Sequence, residues 1–272
     1  MKKVLIAAPI REKEEILKYY LDALIENVVH CMDICECGFY FIDDNLDKES
    51  TQILEEYKDK YGDSFIEFIV EKSMIEYNVS EDKEECWNWY KILKMSKLRD
   101  RIIQFSIENE YDYLFTVDSD LILSGDALMN LLEMKKDIVT PVHWTNIKNG
   151  YHPNVWLYDF WDFAYRNYVG EHLTKAENLK RMTEFFSKLR QKGIYKVGGA
   201  CGCTLTRMEC FRNGLRYSYF DNTSVLSEDY YFCTRASILG YEIYANSEID
   251  SFHIFDMNKL DEFRELMKKK GK

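Results

Sequence analysis

The chain has 272 residues, 46% hydrophobic and 15% aromatic with 3 prolines, which excludes a disordered or fibrous protein and suffices for one α/β domain with a sizeable core. A formal net charge of -11 excludes nucleic-acid binding through the general surface and means that an anionic substrate needs a local cation. No apolar run approaches membrane-spanning length, and the apolar stretch after Met1-Lys2-Lys3 is cut off too early by Arg11, Glu12 and Lys13 to read as a signal peptide.

A cytoplasmic protein is therefore expected. Its eight cysteines (Cys31, Cys35, Cys37, Cys86, Cys201, Cys203, Cys210, Cys233) read as reduced core thiols, because Cys35-Glu36-Cys37 and Cys201-Gly202-Cys203 lack the two-residue spacer of zinc hooks.

In chain order, residues 3–9 read as a strand and 12–27 as a helix with Ile16, Tyr20, Leu21, Leu24 and Ile25 on one face. A second strand, 38–42, runs into Asp43-Asp44-Asn45-Leu46-Asp47, and a helix over 48–61 follows with Asp47 as its cap. Asp43 or Asp44 is either an acceptor for a base N–H or ribose hydroxyl, or a simple turn residue. The opening lacks the Gly-rich turn of a dinucleotide fold.

Residues 65–70 form a third strand, and the polar connection 71–85 is long enough to border a substrate site. Residues 86–109 have helical periodicity, with Trp89, Ile92, Met95, Ile103 and Ile107 as the buried stripe. Lys94, Lys97 and Arg101 point away from that stripe, whereas Arg99 falls on it and can reach a pyrophosphate.

The buried strand 114–117 ends in Asp118-Ser119-Asp120. On an extended chain Asp118 and Asp120 project to the same side, at the strand end where open α/β sheets hold ligands. Two carboxylates there suit a hard divalent cation, Mg²⁺ or Mn²⁺, completed by substrate phosphates; a surface turn is the plain alternative.

A helix over 125–134 and a strand over 137–142 come next. The aromatic segment 151–168, with Trp156, Tyr158, Phe160, Trp161 and Phe163, either offers platforms to sugar rings or packs beneath a lid. The amphipathic helix 171–192, striped by Leu179, Met182, Phe186 and Leu189, suits a lid, an acceptor-binding arm or an oligomer contact. Gly198, Gly199 and Gly202 mark close approach by a ligand or another backbone. Ser227 or Asp229 caps a helix that closes at Gly240, and a carboxylate there is also placed to take a proton from an attacking hydroxyl. His253 lies on the last extended piece, 249–254.

The order of these features resembles glycosyltransferases of the GT-A fold, most closely the family 2 type, over roughly residues 3–254. The matching residues are Pro9 at the first strand end, the acidic loop Asp43-Asp44, a pair before the metal strand, Asp118-Ser119-Asp120, Glu228-Asp229 with Arg235 and Gly240, and a late histidine, His253. Two features depart from the pattern: the pair is Arg99-Asp100 rather than Arg-Asn, and Ile10-Arg11-Glu12 follows Pro9.

The resemblance implies a mostly parallel central sheet flanked by helices, in a single domain over 1–255 with a helical insertion or lid around 151–193 and a basic helical tail at 256–272. It implies metal-dependent transfer of a sugar from a nucleotide diphosphate sugar to an acceptor nucleophile, with inversion. Mn²⁺ or Mg²⁺ would be held by Asp118, Asp120 and His253, and Asp229 would be the general base beside Glu228. Nucleotide-sugar binding would fall on Pro9, Arg11, Asp43, Asp44, Arg99, Asp118, Ser119, Asp120 and Gly199. The acceptor, whether glycan, lipid, protein or small molecule, is left open, and nucleic acid is not expected. The rival readings are a nucleotidyltransferase and a non-catalytic nucleotide-sugar-binding module of the same fold.

Overall fold

The computed structural model describes residues 1–75, 88–147 and 150–269. Strand β1 (Lys2–Ile10) is apolar over its whole middle because both its faces are covered. Val4, Ile6 and Ala8 pack on the side of helix α1 (Glu14–Cys31), while Leu5 and Ala7 face the opposite layer. After α1 come β2 (Cys35–Asp43), α2 (Lys48–Tyr61), β3 (Phe68–Lys72), α3 (Trp89–Glu108) and β4 (Tyr113–Val117).

The chain continues through β5 (Leu121–Leu123), α4 (Ala127–Glu133), β6 (Ile138–Pro141), the hairpin β7 (Trp144–Ile147) and β8 (Gly150–Pro153), β9 (Val155–Trp156) and α5 (Lys175–Leu189). It ends with β10 (Ile194–Val197), β11 (Gly199–Ala200), β12 (Cys203–Arg207), α6 (Met208–Arg212), α7 (Glu228–Ile238), β13 (Ile243–Asn246), β14 (Ser251–His253) and α8 (Met257–Lys269).

Eight strands form one sheet in the order β10-β13-β6-β12-β4-β1-β2-β3. β3, β2, β1 and β4 run parallel, as do β6 and β13, and β12 lies antiparallel between β4 and β6. The order reverses at β1, which has β2 on one side and β4 on the other, so a crevice opens at the carboxyl ends of β1 and β4. The expected α/β sheet with its helices is thus observed.

Three local expectations change. Helix α1 does not stop at residue 27 but runs to Cys31, because Asn27 is buried inside it. Its side chain donates to the carbonyls of Ala23 and Ser124 and accepts from Leu128 N–H at 2.8 Å, tying α1 to α4. On α3 the inner stripe is Ile92, Ser96, Leu98, Arg99, Ile102 and Ile103, and Trp89 is exposed against Tyr219. On α5, Leu179 is 58% exposed, and Phe185, Phe186 and Leu189 are the residues that bury the helix.

The aromatic segment divides, with Trp156 and Phe163 in the core and Tyr151, Tyr158, Tyr165 and Tyr168 exposed. Trp156 is buried against Phe160 and Trp161, and Phe163 packs on Phe186 of α5. α8 is anchored: Leu260 and Phe263 are buried, and the Phe263 ring sits 5.3 Å from both Tyr19 and Phe252. Cys31, Cys35, Cys37, Cys201, Cys203, Cys210 and Cys233 are free thiols, most of them buried. Cys86 and most of the polar connection 71–85 lie outside the described residues. Among the described residues no helix is long and apolar enough to cross a membrane.

Candidate active site

The crevice is built around one buried cation. Arg99 lies on the sheet-facing stripe of α3, where its side chain is 6% exposed. Its Nη2 donates to Asp118 Oδ1 at 2.9 Å and lies 3.8 Å from Glu228, and its Nη1 lies 3.4 Å from Asp229. The guanidinium stacks 4.9 Å above the Tyr217 ring. Asp100, the neighbouring residue, accepts from the backbone N–H groups of Tyr217 and Ser218 at 2.8 and 3.1 Å and so holds that ring in place. Arg99 is therefore committed to carboxylates rather than left free to reach a phosphate.

Asp118 and Asp120 are not on an extended chain. Leu121 N–H donates to the Asp118 carbonyl at 3.0 Å, closing a turn directly after β4. The two carboxylates consequently diverge within one cleft: Asp118 turns to Arg99, and Asp120 Oδ2 meets His253 Nε2 at 3.0 Å. The turn is held from below, where Asp118 N–H donates to Gly202 carbonyl at 2.7 Å and Tyr20 hydroxyl donates to Val117 carbonyl at 2.9 Å.

His253 reaches the site because β14 pairs with β5, His253 opposite Leu121. Its Nδ1 is fixed by Thr145 Oγ1 at 2.6 Å, a second-layer contact of the kind that orients metal-binding imidazoles. Burial opposes a charge on the ring, but the hydrogen bond and charge of Asp120 outweigh it and raise the His253 pKa.

Ser227 caps α7 by accepting from Tyr230 N–H, so neither Glu228 nor Asp229 is needed as the cap. Burial pushes both carboxyls up, Asp229 strongly, against the opposing pull of Arg99. Glu12, in the connection from β1 to α1, is raised to about 7: burial is the chief cause, the bond from Lys13 N–H opposes it, and the charge of Asp120 adds to it.

The acidic loop after β2 divides. Asp43 is buried and accepts from Asn45, Thr51 and Lys72, which makes it the brace of its own loop. Asp44 pairs with Lys94 at 2.5 Å and with Arg11 at 3.9 Å. Lys94 is only 11% exposed, contrary to the solvated position expected for it. Pro9 sits in register with Ile42 near the end of β1, and Ser119 occupies the turn between the two aspartates.

Gly199 has a packing reason: a Cβ there would lie on the Trp156 ring, and β11 pairs with β9. The glycine that does approach the site is Gly202, at φ +80, where a Cβ would stand 2.8 Å from His143 Cε1 and 3.9 Å from Asp118 Oδ2. Glu12, Thr145, His143, Lys94 and Tyr217 carry no local signal in the sequence. They meet the site only through sheet order.

Among the described residues no three or more His, Cys, Asp or Glu side chains are grouped to hold a metal ion. Asp120 and His253 nonetheless present one carboxylate and one imidazole to the same point, a donor set that suits a divalent cation whose remaining ligands are phosphates and water.

Residues 1–189, more than half of the chain, match the family model Anp1. The chain belongs to the Anp1 family. No curated protein matched its sequence. Among solved structures, a UDP-glucose pyrophosphorylase complexed with UDP-glucose is 10% identical, with 99% of each chain covered and a TM-score of 0.52. TarS residues 1–349 from S. aureus is 14% identical over 91% of this chain and 60% of that one, TM-score 0.46. The catalytic domain of Drosophila β1,4galactosyltransferase 7 is 15% identical over 94% and 72%, TM-score 0.45. Membership of the Anp1 family goes with the GT-A, nucleotide-sugar glycosyltransferase type of fold that the sequence resembles, and the pyrophosphorylase likeness agrees with that fold at the level of architecture.

Proposed function

We propose that this Anp1-family chain is a metal-dependent glycosyltransferase that moves a sugar from a nucleotide diphosphate sugar to an acceptor nucleophile with inversion. The observation that carries the reading is the charge of the crevice. Asp118, Asp120, Glu228 and Asp229 lie at the carboxyl end of β4 and the start of α7, with Arg99 as the shared cation of Asp118, Glu228 and Asp229, and His253 on Asp120. Such a site repels a diphosphate unless a divalent cation enters with it. Mn²⁺ or Mg²⁺ held by Asp120 and His253, with Asp118 adjacent, would neutralise the leaving diphosphate.

The chain's own residues account for the rest. Asp229, made more basic by burial, would take the proton of the acceptor hydroxyl while the oxygen of that hydroxyl bonds to the anomeric carbon. The bond from that carbon to the phosphate oxygen breaks, and the nucleoside diphosphate leaves with the electron pair. Arg99 keeps Asp229 and Asp118 apart and oriented. Asp44, with Lys94 and Arg11 around it, would accept from the nucleoside.

Incubation with a panel of nucleotide sugars, with and without Mn²⁺, tests this. Release of nucleoside diphosphate only when metal is present is expected, and metal-independent turnover would overturn the reading. The pyrophosphorylase-like architecture also supports a nucleotidyltransferase as the second reading. Pyrophosphate release from a nucleoside triphosphate and a sugar 1-phosphate would establish that one instead.

A further inference from the structure

A cavity of about 490 Å³ opens at the end of the sheet opposite the crevice. β13 runs parallel to β6, whose carboxyl end leads to His143 beside the crevice, so Ile243 at the start of β13 and Val197 opposite it lie at the far end, and both line the cavity. Helix α7 joins the two places: Asp229 is in its first turn, and Ser237, about 12 Å farther along the axis, lines the cavity with Cys233. Buried Gly199 and Ala200 stand between, where Cys233 Sγ donates to the Ala200 carbonyl at 3.5 Å and accepts from its N–H at 3.4 Å. None of Asp118, Asp120, Glu228 and Asp229 lines the cavity.

Two tyrosine rings of the aromatic segment, Tyr158 and Tyr165, form one wall and are 43% and 39% exposed. The Arg166 guanidinium lies 5.7 Å from the Tyr158 centroid and that of Arg181 5.0 Å from the Tyr165 centroid. Neither arginine lines the cavity, so each backs its ring from outside and leaves the other face to the cavity. The arginines are fixed in turn, Arg166 on Asp162 at 2.7 Å and Arg181 on both oxygens of Glu171 at 2.7 and 2.8 Å. The tyrosine hydroxyls are already engaged, that of Tyr158 donating to the Arg166 carbonyl at 3.1 Å and that of Tyr165 to Glu184 at 2.8 Å. The rings therefore offer their faces, held in place before any ligand arrives.

The polar groups of the cavity are Lys196 and Glu242, joined at 2.5 Å, and the Ser237 hydroxyl, which has no hydrogen-bond partner among the described residues. Lys196, the cation that lines the cavity, is thus already paired, and a phosphate or other anion would find no free charge among the described residues. A sugar ring suits all of these groups. Its C–H face packs on an aromatic ring, and its hydroxyls both donate and accept, as a lysine, a carboxylate and a serine require. We propose that this cavity is a non-catalytic binding site for a neutral mono- or disaccharide, stacked on Tyr158 and Tyr165 and hydrogen-bonded to Lys196, Glu242 and Ser237. The volume is that of a small-molecule site. The inference does not depend on the reading of the crevice, and it gives the chain a second place to hold a glycan, away from the chemistry.

Saturation-transfer-difference NMR with maltose, cellobiose, lactose and mannobiose at millimolar concentration, beside adenosine and uridine, tests it in the full chain without metal or nucleotide. At least one disaccharide should bind. Tyr165→Ala should weaken that binding about tenfold, the scale of losing one aromatic contact, whereas Tyr165→Phe, which keeps the ring and drops the hydroxyl, should bind as the parent does. Lys196→Ala, at an exposed position, should weaken it as well and carries the test if Tyr165→Ala does not fold. Three results overturn the inference: no disaccharide binds, only the nucleosides bind, or Tyr165→Phe loses as much as Tyr165→Ala. Binding that survives Tyr165→Ala and disappears in Asp120→Ala puts the saccharide in the crevice and overturns it too. Failure of metal-dependent donor turnover, by contrast, sinks the reading of the crevice and leaves this site as it is.

Discussion

Arg99 Nη2 donates to Asp118 Oδ1 at 2.9 Å, and this bond joins the middle of α3 to the turn that ends β4. The two ends differ in environment: Arg99 is 6% exposed and Asp118 is 41% exposed. A buried guanidinium thus holds one open carboxylate at the cleft surface and two closed ones, Glu228 and Asp229, behind it. Its positive charge is the condition under which that acid cluster folds.

Arg99→Met should therefore destabilise the protein by about 3 kcal/mol near pH 8, the usual scale for removing one partner of a buried ion pair. The sign with pH follows from Glu228 and Asp229, whose folded pKa values are already raised and rise further without the guanidinium. A group with a raised folded pKa favours the native state below its unfolded pKa, and that stability is lost as pH climbs through the folded value. The deficit of Arg99→Met relative to the parent should shrink as pH falls from 8 toward 5, measured by chemical denaturation at each pH. A deficit that is flat with pH would mean that Arg99 stabilises by packing on Tyr217 instead.

How much of this was legible beforehand differs residue by residue. β4 announced itself by a short apolar run, and α7 by Ser227 at its start and Gly240 at its end, because strands and caps are local patterns. The 3.6-residue period likewise placed Arg99 on the inner face of α3. The direction of Asp118 and Asp120 was not legible, since a turn closed by one backbone bond replaces the alternation of a strand. Lys94 was misread because a long side chain can bend back to Asp44 from a position that the period assigns to solvent. His143 and Glu12 could not be found at all: His143 meets His253 across 110 residues, and Glu12 feels Asp120 across 108. Such partners exist only once the strand order is known.

Glu12 gives a second pH signature. Its carboxyl is raised from 4.5 to about 7, so its contribution to stability is complete below about 4.5 and disappears as pH rises through about 7. Glu12→Gln keeps the shape and removes the titration. The melting temperature of the variant relative to the parent should increase from pH 5, most steeply between the two values, and level off above about 7. A constant offset across that range would show that Glu12 is ionised throughout.

Asp120 and His253 predict the behaviour of the cation. A metal at this pair must displace the proton that Asp120 favours on His253, because only the neutral imidazole binds metal. Mn²⁺ affinity should fall as pH drops from 8 to 6, read by the electron-paramagnetic-resonance signal of free Mn²⁺ in the presence of a nucleoside diphosphate. Asp120→Ala should weaken binding at least tenfold and abolish metal-dependent turnover of the donor. Unchanged Mn²⁺ binding in that variant would move the metal away from this pair.

The final prediction separates chemistry from binding at Asp229. Its carboxylate lies 3.4 Å from Arg99 Nη1 at the first turn of α7, and burial raises its pKa well above the ordinary value. Asp229→Asn preserves shape and removes the proton acceptor, so kcat should fall by roughly 10²- to 10⁴-fold while the affinity for the donor nucleotide changes little. Because Glu228 stays beside Arg99, the fold should tolerate the change, and a melting curve checks this. The residual activity should also lose the dependence on pH that proton transfer to Asp229 imposes. If donor binding and kcat collapse together, Asp229 holds the substrate or the cluster, and the proton goes elsewhere.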